Sequence, residues 1–458
     1  MKYIQLVFIL FLSHLICKAQ VFDVDTLRYS GDIDKKINLV ILGDGYVENE
    51  IGKFVADAQS FSNDMFTQTP FKEYENYFNT FIIKVISNES GVSHPGTATD
   101  IAEPDHPVLM VDNYFDTTFD ASGIHRLVAA KNQSKIFSVL ANNFPLYDQV
   151  IILANSPYYG GSGGSFPVAT TDASANEIAI HELGHSFANL SDEYYAGDVF
   201  SGESPNMTRE SNPDLVRWNN WSGDFGIGAY QHCCGGQSPF WYRPHQDCKM
   251  RYLGVPFCAV CTQRIIEVIH SLTSPLEGFS PDNLVASPTY PQQLKLKLSH
   301  PLSHNIFTKW SLNENTIARN KDSVFIEYDD LLFGENEINV YIEDKSDFLR
   351  IDDHQFNHFY EVDWMIIKDS MSVTADFYVN QNYISIYPNP VQNQLTISGE
   401  LSLYQIEILN SLGQVYQTIN PNGSVYTINI LSLPSGLYFV KVSNRDNNLV
   451  KVQKIIKN

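Results

Sequence analysis

The apolar residues change their spacing once along the chain, and this change limits what the chain can fold into. Up to about residue 272, short apolar runs alternate with longer segments in which apolar residues recur with the period of a helix. Short runs are typical of buried strands, so their alternation with helical segments predicts a layered α/β domain. The predicted strands are 38–42, 81–86 and 149–154, and the predicted helices are 48–66, 127–144 and one that begins near residue 174.

Beyond residue 272 the pattern is that of β-structure. Several prolines between 275 and 291 interrupt the chain, and apolar residues then alternate with polar ones, as in 294–298 and 338–342. Alternation with a period of two predicts small all-β, sandwich-like domains. The length suggests about three domains. The predicted division is a signal peptide (1–19), an α/β domain (20–274), an Ig-like β-sandwich (275–380) and a C-terminal all-β domain (381–458).

The charge balance excludes one class of partner. The chain has 30 Lys and Arg against 52 Asp and Glu, which makes a formal net charge of −22. A surface this acidic repels phosphate backbones, so we expect no nucleic-acid partner.

The first residues have the features of an export signal. Lys2 provides a positive start, an apolar run covers 4–16, and Ala19 is the small residue after which we predict cleavage. A membrane anchor is one alternative, but the run is too short to span about 30 Å of hydrocarbon. Lipidation at Cys17 is another, although Ile16 stands where a lipoprotein signal has a small residue. No later stretch is as apolar as a membrane span, so we expect an exported mature chain without a transmembrane segment.

The helix that begins near residue 174 contains a metal-binding pattern. Ser174 and Glu177 stand three apart before an apolar-periodic run, which predicts a capping box. His181 and His185 lie one helical turn apart, so both imidazoles project from one face and can bind the same ion. Glu182 is rotated by about 100° around the axis and can act on a water without being a ligand. This HExxH arrangement predicts a zinc site with a carboxylate base.

A zinc site of this kind needs a third protein ligand and one open position. Metzincin-like enzymes supply this ligand shortly after the helix, and here Ser191 stands six residues after His185, followed by Asp192 and Glu193. A serine hydroxyl is a poor ligand, whereas a carboxylate oxygen binds Zn²⁺ well. We therefore predict Asp192 as the third ligand, with Glu193 as the alternative.

The chain must turn back after the helix for Asp192 to reach the ion. Asn189 is expected to adopt the left-handed conformation at this turn. Successive side chains of an extended segment point in opposite directions, so Glu193 is expected to face away and to pair with Arg243 or Arg251.

All cysteines of the expected mature chain fall in one region. Their number is odd, so at least one thiol remains after disulfide formation. Cys258 and Cys261 also have the spacing of half a Cys₄ zinc site, but disulfides are favoured in an exported protein. Met250 is predicted to lie beneath the metal ligands, as in the turn of metzincins, or simply in the core. The cysteines are Cys233, Cys234, Cys248, Cys258 and Cys261.

Further motifs surround these residues in a fixed order. They occupy 42–46, 70–79, 89–93, the HELGHSFANLSDEY stretch at 181–194, 242–244, 247–251 and 257–261. Together they resemble the bacterial IgA-peptidase family of zinc metallopeptidases, family sixty-four of the metallopeptidases. The resemblance implies a metzincin-like zincin domain with one catalytic Zn²⁺ bound by His181, His185 and Asp192. It also implies that Glu182 is the general base.

The C-terminal region has motifs of a second kind. Residues 387–390, 436–438 and 454–457 resemble the C-terminal sorting domain of the type IX secretion system. The resemblance implies that the secretion machinery is a partner and that the protein passes the outer membrane to the cell surface or the medium. A carbohydrate-binding or adhesion sandwich is the alternative.

The expected function is that of a secreted zinc endopeptidase acting on a protein or peptide substrate. Tyr194, Tyr242 or Tyr252 could donate a hydrogen bond to the oxyanion, and the segment 158–168 is expected to line the cleft. Two alternatives stay open. One is an adhesion or glycan- or protein-binding module with a degenerate zinc site, and the other is a zinc hydrolase of a non-peptide amide bond.

Overall fold

The computed structural model describes residues 21–195, 197, 202–281, 291–350, 358–368, 377–378, 384–389, 391–399, 404–410, 414–421, 423–444 and 449–457. The predicted signal peptide at 1–19 lies outside the described residues. Within these ranges, no helix has the length and apolar character that crossing a membrane requires.

A six-stranded sheet forms the centre of the N-terminal region. The strands of the whole N-terminal region are β1 (Val24–Arg28), β2 (Ile37–Asp44), β3 (Phe78–Ile83), β4 (Thr117–Thr118), β5 (Ala129–Ala130), β6 (Gln149–Ala154), β7 (Gly161–Ser162), β8 (Val168–Ala169), β9 (Tyr230–Gln231) and β10 (Tyr242–Arg243). Strands β4 and β5 form one separate pair, and β9 and β10 form another. The order in the sheet is β1-β3-β2-β6-β8-β7. Its four inner strands run parallel, and β1 and β7 are antiparallel edges.

Helices cover both faces of this sheet. They are α1 (Ile51–Met65), α2 (Gln133–Asn143), α3 (Ala175–Ala188) and α4 (Ala259–Leu272). Helices α1, α3 and α4 share one core with Leu39 and Ile41 of β2, while α2 shares the other with Val40 and Leu42. Successive residues of a strand enter opposite faces, and burial on both faces explains why β2 reads as a continuous apolar run. The expected mixed α/β region is confirmed.

Two predicted elements have different bounds in the structure. The strand predicted at 81–86 is observed as β3, which begins earlier because its parallel pairing with β2 starts at Phe78. The helix predicted at 127–144 begins only at Gln133, where the side chain of Asn132 caps the first turn. The residues before this cap form β5 instead, which pairs with β4.

Two β-sheets that share a core follow the α/β region. The strands are β11 (Leu276–Ser280), β12 (Gln292–Leu298), β13 (Phe307–Leu312), β14 (Asn315–Arg319), β15 (Ser323–Ile326), β16 (Gly334–Glu343), β17 (Phe359–Lys368) and β18 (Phe377–Tyr378). They form the sheets β11-β12-β15 and β14-β13-β16-β17-β18. The indoles of Trp310 and Trp364 stack in the shared core, with ring centroids 5.6 Å apart.

The C-terminal region has the same kind of architecture. Its strands are β19 (Ser385–Tyr387), β20 (Gln394–Ser398), β21 (Tyr404–Asn410), β22 (Val415–Ile419), β23 (Val425–Asn429), β24 (Gly436–Asn444) and β25 (Leu449–Lys457). They form the sheets β19-β20-β23 and β22-β21-β24-β25 around one apolar core. The sandwich-like β-structure that the sequence predicts after the α/β region is therefore observed, whereas the domain limits at 275 and 381 stay predictions.

Candidate metal centre

Helix α3 contains three of the four predicted site residues, His181, Glu182 and His185, on one side. Its opposite side packs into the core through apolar residues such as Ile180 and Leu183. His181 is buried and His185 and Glu182 are half-buried, and His181 and Glu182 line a cleft. The helical period that buries the apolar side therefore leaves the HExxH side facing this cleft.

Helix α3 begins where predicted, with Ser174 as its N-cap, but the hydrogen bonds of its first turn differ from the prediction. The Ser174 side chain makes no capping hydrogen bond, so the expected capping box does not form. Glu177 instead accepts hydrogen bonds from Nζ of Lys249 at 2.5 Å and from the Gly254 N–H at 2.7 Å. The reason is that Lys249 is buried and its ammonium needs a carboxylate partner more than the helix start does. The same contact holds Lys249 beside the metal-binding pattern.

The chain reverses directly after α3. Asn189 adopts the expected left-handed conformation, with φ 54° and ψ 37°, and the Leu190 N–H returns to the Gly184 carbonyl oxygen at 3.0 Å. This turn sends the following residues back along the helix. It is the reason that Asp192 reaches the two histidines.

Three side-chain atoms converge at the cleft. Oδ1 of Asp192 lies 3.1 Å from Nε2 of His181 and 3.2 Å from Nε2 of His185, and the two Nε2 atoms are 3.2 Å apart. The Nδ1 atom of His181 contacts the Lys249 carbonyl oxygen at 2.8 Å, and that of His185 contacts the Leu190 carbonyl oxygen at 2.7 Å. A carbonyl oxygen only accepts hydrogen bonds, so each Nδ1 carries the proton and each neutral ring has a bare Nε2.

This arrangement attracts positive charge. Two bare nitrogens and a carboxylate oxygen repel one another unless a proton or a cation lies among them. Burial raises the pKa of Asp192, but the contacts with His181 and His185 outweigh it and hold that pKa well below its ordinary value. Burial likewise lowers the pKa of His185, but Asp192 outweighs this effect and raises it to about 9. The three side chains are thus a candidate cation site, although their assignment as ligands stays a prediction.

Glu182 lies at the mouth of this site. Burial raises its pKa, and the charges of His181 and His185 oppose the increase. Its Oε2 faces Gly163, where a Cβ would stand 2.8 Å from that oxygen, so the glycine loop packs directly against the carboxylate. The adjoining cavity has a volume of about 280 Å³. It is lined by side chains that include Arg126, Tyr159, Glu182, Tyr194 and Tyr252.

The tyrosine candidates for an oxyanion donor separate in the structure. Tyr194 and Tyr252 line the cavity, whereas Tyr242 belongs to β10 and is not among the lining residues. The guanidinium of Arg126 lies 5.5 Å from the centroid of the Tyr194 ring. Burial raises the pKa of Tyr194, so its hydroxyl stays protonated as a donor. Sequence reasoning did not find Arg126, because no local spacing connects it with the helix.

Glu193 points away from the histidines, as the alternation of an extended segment predicts. It does not pair with Arg243 or Arg251, however, and this expectation was wrong. Arg243 donates to the carbonyl oxygens of His232 and His245 instead. Glu193 is fully buried among three cysteines, and its Oε1 accepts a hydrogen bond from Nδ2 of Asn206 at 3.0 Å.

Two side chains that the sequence analysis missed hold the segment around Asp192. Asn206 Oδ1 accepts from the Ser191 N–H at 2.7 Å, and its Nδ2 donates to the Ser191 carbonyl oxygen at 2.9 Å. Nε2 of His232 contacts the Asp192 carbonyl oxygen at 2.8 Å. Both residues are buried and lie in irregular segments, which leaves no periodic signal in the sequence.

The cysteines differ from the expectation of disulfides. All five in the described part of the chain are free. Sγ of Cys248 and Sγ of Cys261 lie 3.7 Å apart, well beyond the length of about 2.05 Å of a disulfide bond. Burial raises the pKa of Cys258, but hydrogen bonds with Cys248 and Cys261 outweigh it and lower the pKa to about 6. The physical reason is that these sulfurs are arranged around Glu193 rather than in pairs.

Met250 lies beneath α3. It is fully buried, and a Cβ placed on Gly184 would stand 2.5 Å from its Sδ. The Met250 carbonyl oxygen accepts from the Glu193 N–H at 2.7 Å. The loop at 248–250 therefore contacts both the helix and the segment that follows it.

A separate group of ligand-type side chains lies farther from the helix. His94, Glu103, Asp120 and His125 bring their polar atoms together, with 2.7 Å between Nδ1 of His125 and Oε1 of Glu103. The ring of His106 stacks on the ring of Tyr158 beside them. These residues are scattered over irregular segments, and sequence reasoning did not single them out.

Comparisons with known families agree with both resemblances. Residues 26–226 match the family model described as IgA Peptidase M64, and residues 385–458 match the one described as secretion system C-terminal sorting domain. The first match is that of a peptidase, and the second indicates secretion to the cell surface or the extracellular medium. The peptidase match ends before the cysteine-rich segment.

Other proteins share less with this chain. The ulvan lyase NLR42 of Nonlabens ulvanivorans is 27% identical over 95 residues, which are 20% of this chain and 17% of that protein. The chain thus spans less than a fifth of the length of this curated relative. The glucan-binding SGBP-B of Bacteroides ovatus is a similar structure with 10% identity and a TM-score of 0.17, covering 39% of this chain and 71% of that chain. The BSP domain of a biofilm associated protein has 16% identity and a TM-score of 0.15, and the match covers 39% of this chain and 28% of that chain.

Proposed function

We propose that this protein is an exported zinc-dependent endopeptidase of metzincin-like plan. In this proposal His181, His185 and Asp192 bind one catalytic Zn²⁺, and Glu182 is the general base. The observation that carries it is the convergence of two imidazole Nε2 atoms and one carboxylate oxygen within 3.1–3.2 Å of one another at the edge of a cleft. The peptidase family match supports the same conclusion.

The donor set fits zinc. Ligands at about 2.0–2.2 Å from Zn²⁺ in a tetrahedron lie about 3.3–3.6 Å apart, close to the observed separations. Each histidine donates a hydrogen bond from its Nδ1–H to a backbone carbonyl oxygen. Such a bond is the usual support for a metal-ligating imidazole. Three protein ligands would leave one position of a bound Zn²⁺ for a water or the substrate, as catalytic zinc sites require.

A bound Zn²⁺ and Glu182 have different roles in the proposed reaction. A bound Zn²⁺ would polarise the scissile carbonyl and lower the pKa of a water. Glu182 takes the proton of the attacking water and passes it to the leaving amine. Its raised pKa suits this exchange, because a base that is too acidic holds the proton poorly.

Two further side chains stabilise the negative charge that develops on the oxygen of the scissile carbonyl. Tyr194 is best placed among the tyrosines, because it lines the cavity and its ring centroid is 6.3 Å from that of His181. Arg126 lies against the same ring and adds positive charge on that side. We assign both to the oxyanion side of the cleft.

The route of export completes the proposal. The signal peptide at 1–19 directs the chain to the periplasm, and the C-terminal domain at 381–458 engages the type IX secretion machinery. The α/β domain at 20–274 contains every residue assigned to catalysis. The β-domain at 275–380 has no assigned chemistry.

The test is digestion of casein and of a peptide library by the purified protein, with and without a chelator. We expect new peptide termini that disappear with the chelator and return when zinc is added. Glu182→Gln should keep its zinc and lose activity by about 10²–10⁴-fold, because the metal ligands stay and the base is gone. Near-normal proteolysis by a zinc-loaded Glu182→Gln protein would remove Glu182 from the mechanism. An active preparation that cleaves only non-peptide amides would contradict the endopeptidase assignment.

A further inference from the structure

Another group of side chains that can bind a metal lies in the core, and its first member directly follows Asp192 in the chain. It consists of Glu193, Cys248, Cys258 and Cys261, all buried in the core. The proposed catalytic mechanism uses none of them. They come from three separate segments, namely the turn after α3, the loop at 248–250 and the start of α4.

The distances within this group are those of ligands around one ion. Sγ of Cys248 and Sγ of Cys261 are 3.7 Å apart, and Sγ of Cys261 is 3.5 Å from Oε1 of Glu193. Tetrahedral zinc, with bonds of about 2.3 Å to sulfur and about 2.0–2.2 Å to oxygen, sets two sulfurs about 3.8 Å apart and sulfur and oxygen about 3.5 Å apart. Both observed separations agree with this geometry.

Glu193 is the second, independent observation. It is fully buried, and no lysine, arginine or histidine in the described part of the chain forms an ion pair with it. Its Oε2 has no hydrogen-bond partner among the described residues. An ionised carboxylate in this position is costly unless a cation compensates it, and the nearest groups able to share a cation are the three thiols.

The local backbone also suits deprotonated sulfurs. Cys258 is the N-cap of α4, and Cys261 follows in the first turn, where the helix dipole favours negative charge. The Cys258 N–H points to Sγ of Cys248 at 3.4 Å. Backbone N–H groups directed at a sulfur are typical of metal-bound thiolates.

We propose that Cys248, Cys258, Cys261 and Glu193 bind a second, structural Zn²⁺. The site has four protein ligands and no open position, which distinguishes structural from catalytic zinc. Its formal charge equals that of a Cys₄ zinc site. A disulfide between any two of the cysteines would leave the third thiol and the buried carboxylate without compensation.

The second ion would connect the parts that support the first. Glu193 is adjacent to Asp192, and Cys248 is adjacent to Lys249, whose carbonyl oxygen orients His181. An ion shared by these segments and α4 would hold Asp192 and His181 in register. Its role is therefore structural support of the catalytic site and not a part in the reaction.

Metal analysis of the full chain tests the proposal. We expect two zinc ions per chain in the wild type and one in His181→Ala, because only the catalytic site is lost there. Cys258→Ser with Cys261→Ser should also hold one fewer ion than the wild type. Cys234→Ser is the matched control and should lose none, because Cys234 is exposed and lies outside the cluster.

Cobalt substitution identifies the site without relying on the folding of a variant. The Co²⁺-loaded wild type and the Co²⁺-loaded His181→Ala protein should both show strong near-ultraviolet thiolate-to-cobalt absorption. The proposal fails if the wild-type protein lacks this absorption, or if non-reducing peptide mapping finds a stoichiometric disulfide between any two of the three cysteines. Neither outcome depends on whether the histidine site is catalytic, so the two proposals can fail separately.

Discussion

Asp192 and Glu193 are neighbours with opposite surroundings. Asp192 turns toward the two histidines, and Glu193 turns into the core beside the cysteines. The contacts of Asn206 with Ser191 and of Met250 with Glu193 hold the backbone between these two directions. The two carboxylates therefore face different groups of side chains, although the sequence analysis named both as candidates for the third ligand, with Asp192 preferred.

The first prediction separates these two residues. Asp192→Ala is expected to raise the free zinc concentration needed for half-maximal peptidase activity by about 100-fold or more, since loss of even a supporting contact costs about 10–100-fold. Glu193→Gln, which keeps its size, should shift this midpoint much less. Activity measured over a series of buffered zinc concentrations provides the comparison. If the Asp192 variant kept the zinc midpoint of the wild type, the assignment of Asp192 as the third ligand would be wrong.

At the scale of elements, the packing of α3 against the loop at 248–250 supports the site. Gly184 lies at their closest approach, where Sδ of Met250 and the ring of Phe257 occupy the space of a side chain. Glycine in a helix lowers its stability, but any larger residue here would displace a fully buried methionine. Close contact between helix and loop explains why this helix has a glycine at its centre.

The second prediction compares two glycines in helices. Gly184→Ala should destabilise the protein by about 1–3 kcal/mol through overpacking, and it should weaken zinc binding because His185 is the next residue. Gly52→Ala in α1 is the control, because nothing lies within 4 Å of its missing Cβ. The control should stabilise the protein by up to about 1 kcal/mol. Thermal unfolding of both variants measures the contrast, and equal stabilisation by both would disprove the close contact.

At the scale of the whole molecule, ionised groups join the α/β region to the β-structure that follows. Asp344 accepts hydrogen bonds from the hydroxyl of Tyr74 at 2.7 Å and from Nε2 of His270 at 2.8 Å. Lys36, with its side chain buried, contacts the Glu277 carboxylate at 2.5 Å. Lys297, an exposed residue of the β-structure itself, contacts the same carboxylate at 2.8 Å, so the link between the regions is the contact of Lys36 with Glu277. The two regions are thus joined by buried charges as well as by apolar packing.

The third prediction concerns pH. Burial raises the pKa of Glu277, but the hydrogen bonds from Lys297 and Lys36 outweigh it and lower the pKa to about 2. A lowered folded-state pKa contributes stability above the unfolded value of 4.5, and this contribution is lost as pH falls toward about 2. The melting temperature of Glu277→Gln should be lower than that of the wild type at pH 7, and the two should converge near pH 2. A constant difference over this range would exclude the carboxylate as its source.

The fourth prediction concerns the C-terminal region. Nζ of Lys454 reaches Oδ1 of Asp148 at 2.8 Å, but Asp148 also accepts from the Asn38 N–H and keeps that partner without the region. Truncation after residue 380 should therefore leave the kcat/KM of the peptidase nearly unchanged, because every residue assigned to catalysis lies before residue 275. In the native host the truncated protein should remain in the periplasm, as fractionation and immunoblotting would show. Its appearance in the medium would contradict the sorting role.

Features that repeat over short distances could be predicted from the sequence alone. The period of the apolar residues predicts β2, β6, α1 and α3, and the spacing of His181 and His185 places both on one face of a helix. A helical turn or a strand pleat imposes these relations on any chain with that pattern. The same local reasoning predicted that Asp192 turns back toward the histidines, because the turn at Asn189 lies directly beside the helix.

Which distant groups meet became visible only in the folded structure. Asn206, His232 and the Lys249 carbonyl oxygen support the histidine site from irregular segments, and no spacing in the sequence connects them to α3. Local rules likewise predicted a capping box for Glu177, disulfides for the cysteines and an arginine partner for Glu193. Each failed for the same physical reason: a buried polar group takes the partner that folding brings to it, and here that partner is distant in sequence.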